Sequence, residues 1–274
     1  MSLKNLIRVG LAVIGGIIFS VISVYACHPW INANKYKLEQ KDVIRFFIAY
    51  GHNFPFGHSF YDNEQIGEMY ILSPDGERIK VGPRVLKDGK PSQVQFESKG
   101  RLKEGTYLVV METKGHFGAK TAEGYQWKSK KELKDKKVID KVRYTQMWAK
   151  AIVTVGEGKG KSFSQILGHG LEIVPLKDPN ELRTNDFLPI KILHNGKPLK
   201  EPVKVHATYM GFSNEPDVFA YTCWASPSKE GVANIRILQP GIWKIYVDYK
   251  APYQDPELAD EYSYYSTLTF EVKP

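Results

Sequence analysis

The residues best suited to chemistry near the start of the chain are Cys27 and His28, which end an apolar run in VYACHPW at 24–30. If a leader is cut after Ala26, Cys27 gains a free α-amine. This amine, the next amide nitrogen and the His28 imidazole can then form a planar chelate, a geometry that favours Ni(II) or Cu(II). Pro29 has no N–H to offer, so the remaining ligand must come from the Cys27 thiolate or from elsewhere in the fold.

Other histidines follow glycines in predicted loops. His52 and His58 lie in AYGHNFPFGHSF beyond the strand RFFIAY, and His116 lies in TKGHFGAKT after another strand. Loops at sandwich ends commonly carry binding groups, and imidazole suits nickel, copper, zinc and cobalt. His52 and His58 do not have a standard zinc spacing, so solvent-facing turn residues are the alternative. The predicted metal ligands are His28, His52, His58, His116 and Cys27.

The remaining histidines lie in the second half of the chain. His169, in LGHGLEIVP, lies between two glycines at the opening of that half, so it is a candidate for an interdomain site. His194 and His206 flank a predicted hairpin, and we expect both at the surface.

The first 26 residues have the pattern of an export signal. Two basic residues precede VGLAVIGGIIFSVISV, an uncharged run of about sixteen residues. Three outcomes remain open: cleavage after Ala26, acylation of Cys27 at a loose lipoprotein box, and no cleavage, which leaves residues 9–26 as a short membrane anchor. Each places residues 28–274 outside the cytoplasm. We therefore expect a periplasmic or extracytoplasmic protein, free or anchored through its N-terminus.

The charge of the chain bears on its partners, and its cysteine content bears on disulfide formation. The formal net charge of +8 falls to about +6 without the leader, and much of the excess lies in KSKKELKDKKVIDKVR at 128–143. Nucleic-acid binding would need exposed aromatics among those lysines, and the export signal also argues against it, so we expect a solvated surface and no nucleic acid. Only two cysteines occur, and a disulfide between Cys27 and Cys223 remains open.

The rest of the chain predicts mostly antiparallel β-structure, because short alternating apolar and polar runs are separated by Gly, Pro, Asn and Asp. We predict an all-β fold of two β-sandwich domains. A signal peptide or membrane anchor at 1–26 precedes a metal-binding sandwich at 27–156, a linker at 157–165 and a transthyretin-like or immunoglobulin-like sandwich at 166–274. The passage at 129–142 lacks a wide apolar stripe and predicts a short surface helix.

No catalytic motif stands out. The chain lacks a nucleophile elbow, a His-Glu-x-x-His helix and a Cys-x-x-Cys pair, and GEGKGKS at 156–162 lacks the spacing of a phosphate-binding loop. We therefore expect neither enzyme activity nor an organic cofactor.

Taken together, these features give the exported part a family resemblance. It resembles the periplasmic proteins associated with nickel and cobalt uptake, including the additional periplasmic component of energy-coupling-factor type nickel transporters. The matching features are CHPWI, YGHNFP, RYTQMWAKAIVTVG, LGHGLEIVPLKDPNEL and LPIKILHNGKPLKEPVKV followed by PGIWKI, collinear over about 240 residues. The post-leader histidine corresponds to His28 and the Gly-His histidine to His52. Many relatives have Ala directly before the first of these, where Cys27 stands here.

The resemblance implies a two-part β-rich protein that binds Ni(II) or Co(II) as cargo and assists its uptake through membrane transporter components or an outer-membrane receptor. His28 and His52 are then the principal ligands. An alternative is a sandwich module that docks on such a partner without metal. A third hypothesis is a carbohydrate-binding sandwich, which an exposed row of Trp and Tyr would favour. Only the first needs both histidines and a third donor about 2.0 to 2.1 Å from one metal position.

Overall fold

A computed structural model describes residues 27–57, 59–158 and 160–274 as an almost entirely β structure. The predicted all-β sandwich class is confirmed, because the alternating sequences form strands that bury one face against a second layer. The strands of the first half are β1 (His28–Ala33), β2 (Lys37–Leu38), β3 (Arg45–Gly51), β4 (Ser59–Phe60), β5 (Ile66–Leu72), β6 (Arg78–Val85), β7 (Pro91–Ser98), β8 (Gly105–Thr113), β9 (His116–Thr121), β10 (Gly124–Gln126) and β11 (Arg143–Val155).

The second half adds the same kinds of element. Helical structure among the described residues consists of short 3-10 turns at Asn63–Gln65, Lys130–Leu133, Ser162–Ser164, Pro179–Glu181 and Pro227–Lys229. The strands are β12 (Leu171–Pro175), β13 (Phe187–His194), β14 (Lys197–Pro198), β15 (Val203–Tyr209), β16 (Tyr221–Ala225), β17 (Val232–Arg236), β18 (Gly241–Pro252) and β19 (Glu261–Val272).

The surface helix predicted at 129–142 is wrong. Only the 3-10 turn Lys130–Leu133 forms there, and Leu133 is its one buried residue. The other three residues of the turn are charged, and Lys131 and Glu132 are exposed, so no apolar stripe stabilises further turns.

One large sheet crosses both halves of the chain. Its main path is β1-β3-β7-β6-β5-β8-β11-β19-β18-β15-β16, and a separate four-stranded sheet contains β12, β13, β14 and β17. The two halves join where β11 pairs in parallel with β19, from Arg143 opposite Glu261 to Ala151 opposite Thr269. Parallel strands are usually buried on both faces, and β11 is buried from Met147 to its end. The domain boundaries stay a prediction, since this sheet continues past the predicted linker.

Two large hydrophobic clusters form the core. One, around Phe46 and Tyr107, packs β1 and β3 against β8 and β11. The other, around Trp148, Trp243 and Phe270, packs the four-stranded sheet against β18 and β19. Strand β11 contributes to both, so burial of its two faces ties the layers together.

The start of the described chain is fixed in this core. All six residues of β1 are buried, and its first residue, His28, lies opposite Gly51 on β3. On the other side, the Thr267 hydroxyl donates to the Pro29 carbonyl at 2.9 Å. No helix among the described residues is long and apolar enough to cross a bilayer, and the predicted leader at 1–26 lies outside them.

Candidate functional site

The β1–β3 register places Cys27 beside the loop that follows β3. With His28 opposite Gly51, the residues just beyond this pair are Cys27 and His52. Their side chains meet with the Cys27 Sγ 2.9 Å from the His52 Nε2. We call these two residues the thiol–imidazole pair. Burial raises the pKa of the Cys27 thiol, and the nearby Asp217 carboxylate raises it further.

The opposite edge of the His52 ring faces a carboxylate from the second half. The Asp217 Oδ2 lies 2.8 Å from the His52 Nδ1, and both side chains are only 12% exposed. The contact is an electrostatic one, since the groups are not aligned as a hydrogen bond. Asp217 belongs to the loop between β15 and β16 and has a φ of 56°, which is uncommon for a residue other than glycine. A carboxylate at Nδ1 favours the tautomer with its proton there, which leaves the Nε2 lone pair facing Cys27.

His28 lies next to this pair but contacts a different set of groups. Its ring is 1% exposed and stacks on Tyr246 with centroids 4.0 Å apart. Its Nε2 lies 3.3 Å from the Lys244 Nζ. Successive side chains of a strand point to opposite faces, so His28 faces the interior while Cys27 faces the loop.

Lys244 is a buried amine in an aromatic setting. Its Nζ lies 4.1 Å from the centroid of the Trp30 ring and 5.4 Å from that of Phe54. Burial lowers the pKa of Lys244 to about 7, although Asp217 opposes the shift. Near neutral pH a large share of this amine is therefore uncharged.

Comparison with known families places the chain in one of them. The profile described as Domain of unknown function (DUF4198) matches residues 24–251, which is most of the chain. The chain belongs to the DUF4198 family. No curated protein matches it.

One solved structure similar to this DUF4198 chain contains the two tandem V-type regions of VCBP3, a v-region-containing chitin binding protein. The two are 12% identical, and the match covers 87% of this chain and 99% of that chain with a TM-score of 0.21. At this level the likeness carries no functional argument.

Two of the predicted ligands of this DUF4198 protein, Cys27 and His52, come into contact. The third, His28, contacts Lys244 instead, and His116 packs against Trp127 with ring centroids 4.7 Å apart. The remaining predicted ligand, at position 58, lies outside the described residues. Within the described ranges, no group of three or more His, Cys, Asp or Glu side chains could hold a metal ion. Cys27 and Cys223 are both free, so no disulfide joins them.

Two residues near the pair were not predicted from the sequence. Asp217 lies in the loop segment FSNEPDVF, where an acidic residue gives no signal of burial. Lys244 does leave a signal, since it interrupts the apolar stretch IWKIYV of a strand. A lysine between Trp243 and Ile245, both fully buried, indicates that the strand is covered on both faces.

Proposed function

We propose that this protein binds Ni(II) or Co(II) as cargo outside the cytoplasm, with the thiol–imidazole pair as the centre of the site, and assists the uptake of the ion through a membrane transporter. The observation that carries the proposal is the 2.9 Å contact between the Cys27 Sγ and the His52 Nε2. Two donors of types that suit these metals already face each other there.

The Sγ and Nε2 atoms that would bind the metal are now close enough to share a proton. In the protein as described, the thiol proton can be shared with the imidazole Nε2. A metal ion would replace this proton, with about 2.3 Å to sulfur and about 2.0 Å to nitrogen if zinc-like distances apply. The displaced proton makes binding weaker at low pH.

Asp217 would support the site from behind the imidazole. Metal-bound histidines commonly donate their other ring N–H to a carboxylate, which fixes the tautomer and raises the basicity of the ligand. Asp217 lies 2.8 Å from the Nδ1, where a small rotation of the ring would align the bond. This arrangement favours Nε2 as the metal ligand over Nδ1.

Two side chains leave coordination positions to fill, and the protein backbone would fill them. A chain that begins at Cys27 has an α-amine that forms a five-membered chelate together with its own thiolate. The amide nitrogen of His28 is a further donor, and His58 stays a predicted ligand from the sequence alone. The imidazole of His28, stacked on Tyr246, is assigned to positioning β1 rather than to coordination.

A second candidate function rests on the order of the same three groups. Cys27, His52 and Asp217 follow one another as nucleophile, base and orienting carboxylate do in thiol enzymes. The raised pKa of Cys27 opposes this function, because a nucleophilic cysteine needs thiolate at neutral pH. Alkylation by iodoacetamide tests this second function: rapid labelling at pH 6 would support the nucleophile, and labelling that rises only above pH 8 would exclude it.

Calorimetric titration with Ni(II) and with Co(II) tests the proposal. The protein should begin at Cys27, and a second form that retains Ala26 lacks the amine on Cys27. We expect one equivalent to bind, with His52→Ala reducing affinity at least a hundredfold and the control His194→Ala leaving it unchanged. The form with Ala26 should bind more weakly, since the chelate loses its amine.

Other outcomes would replace the proposal. Absence of binding by the protein that begins at Cys27 would contradict it and favour the interaction module that docks on a transporter or receptor without metal. Binding that His52→Ala leaves intact would place the metal elsewhere in the chain. Equal binding by the two forms would exclude the α-amine while retaining the pair.

A further inference from the structure

A polar pocket of about 240 Å³ lies where the two halves meet. Its lining comes from β5, β6, β8, β11, β19, the loop before β12 and the turn between β13 and β14, and it shares no residue with the thiol–imidazole pair. Residues that line it include Glu112 of β8, Trp148 of β11 and His169 of the loop. This volume suits a small ligand rather than a peptide, since drug-sized ligands occupy about 300 to 1,000 Å³.

Two buried polar atoms at the pocket wall have no hydrogen-bond partner in the described part of the chain. They are the Trp148 Nε1 and the His169 Nδ1, on side chains that are 2% and 8% exposed. The two rings lie nearly parallel, with centroids 5.9 Å apart. The indole N–H is close enough to lower the pKa of the Glu112 carboxyl, but it does not reach hydrogen-bond geometry. Buried groups of this kind normally have a partner, so a ligand that reaches them after a small side-chain adjustment would complete the site.

The pocket lining contains two acidic side chains and one arginine. Glu68 and Glu112 lie directly opposite each other on β5 and β8, and Arg78 pairs with Glu68 at 2.5 Å. Burial raises the pKa of Glu112, and the Gln146 amide donates to it at 2.7 Å. An anion would find no unpaired cation among the described side chains of the lining, since Arg78 is paired with Glu68. A neutral ligand with both donors and acceptors fits better.

A buried ion pair holds the loop that carries His169. The Lys150 Nζ lies 3.0 Å from the Glu172 carboxylate, and both side chains are at most 1% exposed. The same carboxylate accepts the backbone N–H groups of Leu167 and Gly168, each at 3.1 Å. The loop is therefore anchored from behind, which preorganises this wall of the pocket.

A row of aromatic rings leads away from the pocket across β11, β19 and the residue that follows β18. Successive centroids are 5.6 Å apart between Trp148 and Tyr264, 5.0 Å between Tyr264 and Tyr262, 4.5 Å between Tyr262 and Tyr253, and 5.6 Å between Tyr253 and Tyr144. The last three tyrosines are half-buried, so each keeps part of its surface in contact with solvent. A row of Tyr and Trp on one face is the feature that favours a carbohydrate-binding sandwich.

We propose that this pocket binds one ring of a neutral saccharide, and that the tyrosine row contacts the neighbouring units of a longer chain. A hydroxyl both donates and accepts, so one sugar hydroxyl can accept from the Trp148 N–H and donate to Glu112. The C–H faces of sugar rings pack against aromatic side chains, which accounts for the row beside a polar pocket. The saccharide site is independent of the metal proposal, since the two share no residue.

Nuclear magnetic resonance of the indole N–H groups tests this site in the full-length protein. The Trp148 signal is assigned by its loss in Trp148→Phe, and the probes are glucose, galactose, maltotriose and cellotriose. We expect at least one sugar to move the Trp148 signal, with a trimer binding several-fold more tightly than its monomer. Glu112→Gln should weaken binding at least tenfold, while Trp127→Phe, which changes a 60% exposed indole, should not. In Tyr262→Ala, the trimer should bind no more tightly than its monomer, while the affinity for the monomer should be unchanged.

Several results would overturn the proposal. One is a Trp148 signal that none of the four sugars moves. Another is a Trp148 signal that a sugar moves as much in Glu112→Gln as in the unchanged protein. Movement with acetate or putrescine but with no sugar would assign the pocket to an ion. If Glu112→Gln fails to fold, as judged by circular dichroism, His169→Gln takes its place with the same expected loss.

Discussion

Asp217 lies 2.8 Å from the Nδ1 of His52, on the edge of the ring opposite to Cys27. The contact joins a loop of the second half to a loop that lies beside the first described residues of the chain. The imidazole is therefore oriented by a residue far away in sequence, and the loop between β15 and β16 must be in place before the pair is complete.

Asp217→Asn tests this orientation. The amide keeps the size of the side chain but removes the charge that favours the Nδ1–H tautomer. Loss of a partner that orients a metal ligand costs about 10-fold to 100-fold in metal affinity, and we expect a loss in that range for Ni(II) by calorimetry. Asp186→Asn changes a carboxylate that lies 3.7 Å from Lys177 on the surface, and this control should bind as the unchanged protein does. Equal affinities for the two variants would exclude a supporting role for Asp217.

Lys244→Met should change how stability depends on pH. Burial lowers the pKa of Lys244 to about 7, against about 10.4 for an exposed lysine. Between these values the unfolded chain holds a proton that the folded chain does not, so the free energy of unfolding rises with pH by roughly 5 kcal/mol in all, of which about 3 kcal/mol is gained by about pH 9. The variant should lack this rise and be more stable than the unchanged protein near pH 7. Urea unfolding of both proteins at pH 6, 7.5 and 9 measures the difference. The prediction is contradicted if the free energy of unfolding changes with pH in the same way in both.

Lys150→Met should destabilise the fold strongly. Glu172 would keep its buried carboxylate without a cation, and breaking such a pair costs about 3 to 5 kcal/mol. Adding Glu172→Gln should recover part of this loss, because it removes the unpaired charge and leaves a group that can still accept from the loop. Urea unfolding of the two single variants and the double variant measures the coupling. A double variant as unstable as the sum of the singles would mean that the pair contributes nothing jointly.

His169 should give the protein an acid-sensitive contribution to stability. Burial lowers the pKa of His169 to about 4, with Lys150 adding to the effect, whereas an unfolded histidine titrates near about 6.5. In this interval only the unfolded chain binds the proton. Acidification from about pH 6.5 to about pH 4 therefore removes about 3 kcal/mol from the free energy of unfolding. His169→Gln should lack this contribution, so its unfolding free energy should fall less over the interval. The same fall in both proteins would place the acid sensitivity elsewhere.

The strands were largely predictable, while their long-range pairing was not. Alternation in GTYLVVMET and EPVKVHATYMG is a local property, and each segment forms a strand in the structure. Strand β11 is buried on both faces, so its sequence does not indicate which neighbours it has, and its parallel pairing with β19 depends on the whole fold. The helix predicted at 129–142 was wrong because this passage has no wide apolar stripe to bury, and only the turn Lys130–Leu133 forms.

The candidate site was predictable in part, for the same reason. Cys27 and His52 were both predicted ligands, and short-range strand pairing brings them together. The contacts of His28 with Lys244 and of His52 with Asp217 depend on strands and loops near the other end of the chain. Lysine side chains are rarely buried, so the burial of Lys244 follows from the tertiary structure and not from its residue type.

Optical titration with Co(II) tests the central claim most directly, because a thiolate bound to cobalt gives a charge-transfer absorption that imidazole and carboxylate ligands do not. For the protein that begins at Cys27, we expect this absorption to saturate at one equivalent. It should disappear in Cys27→Ser and weaken strongly in His52→Ala, but persist in the control His116→Ala. Absence of the thiolate band, or a band that His52→Ala leaves unchanged, would contradict the assignment of the thiol–imidazole pair as the metal site.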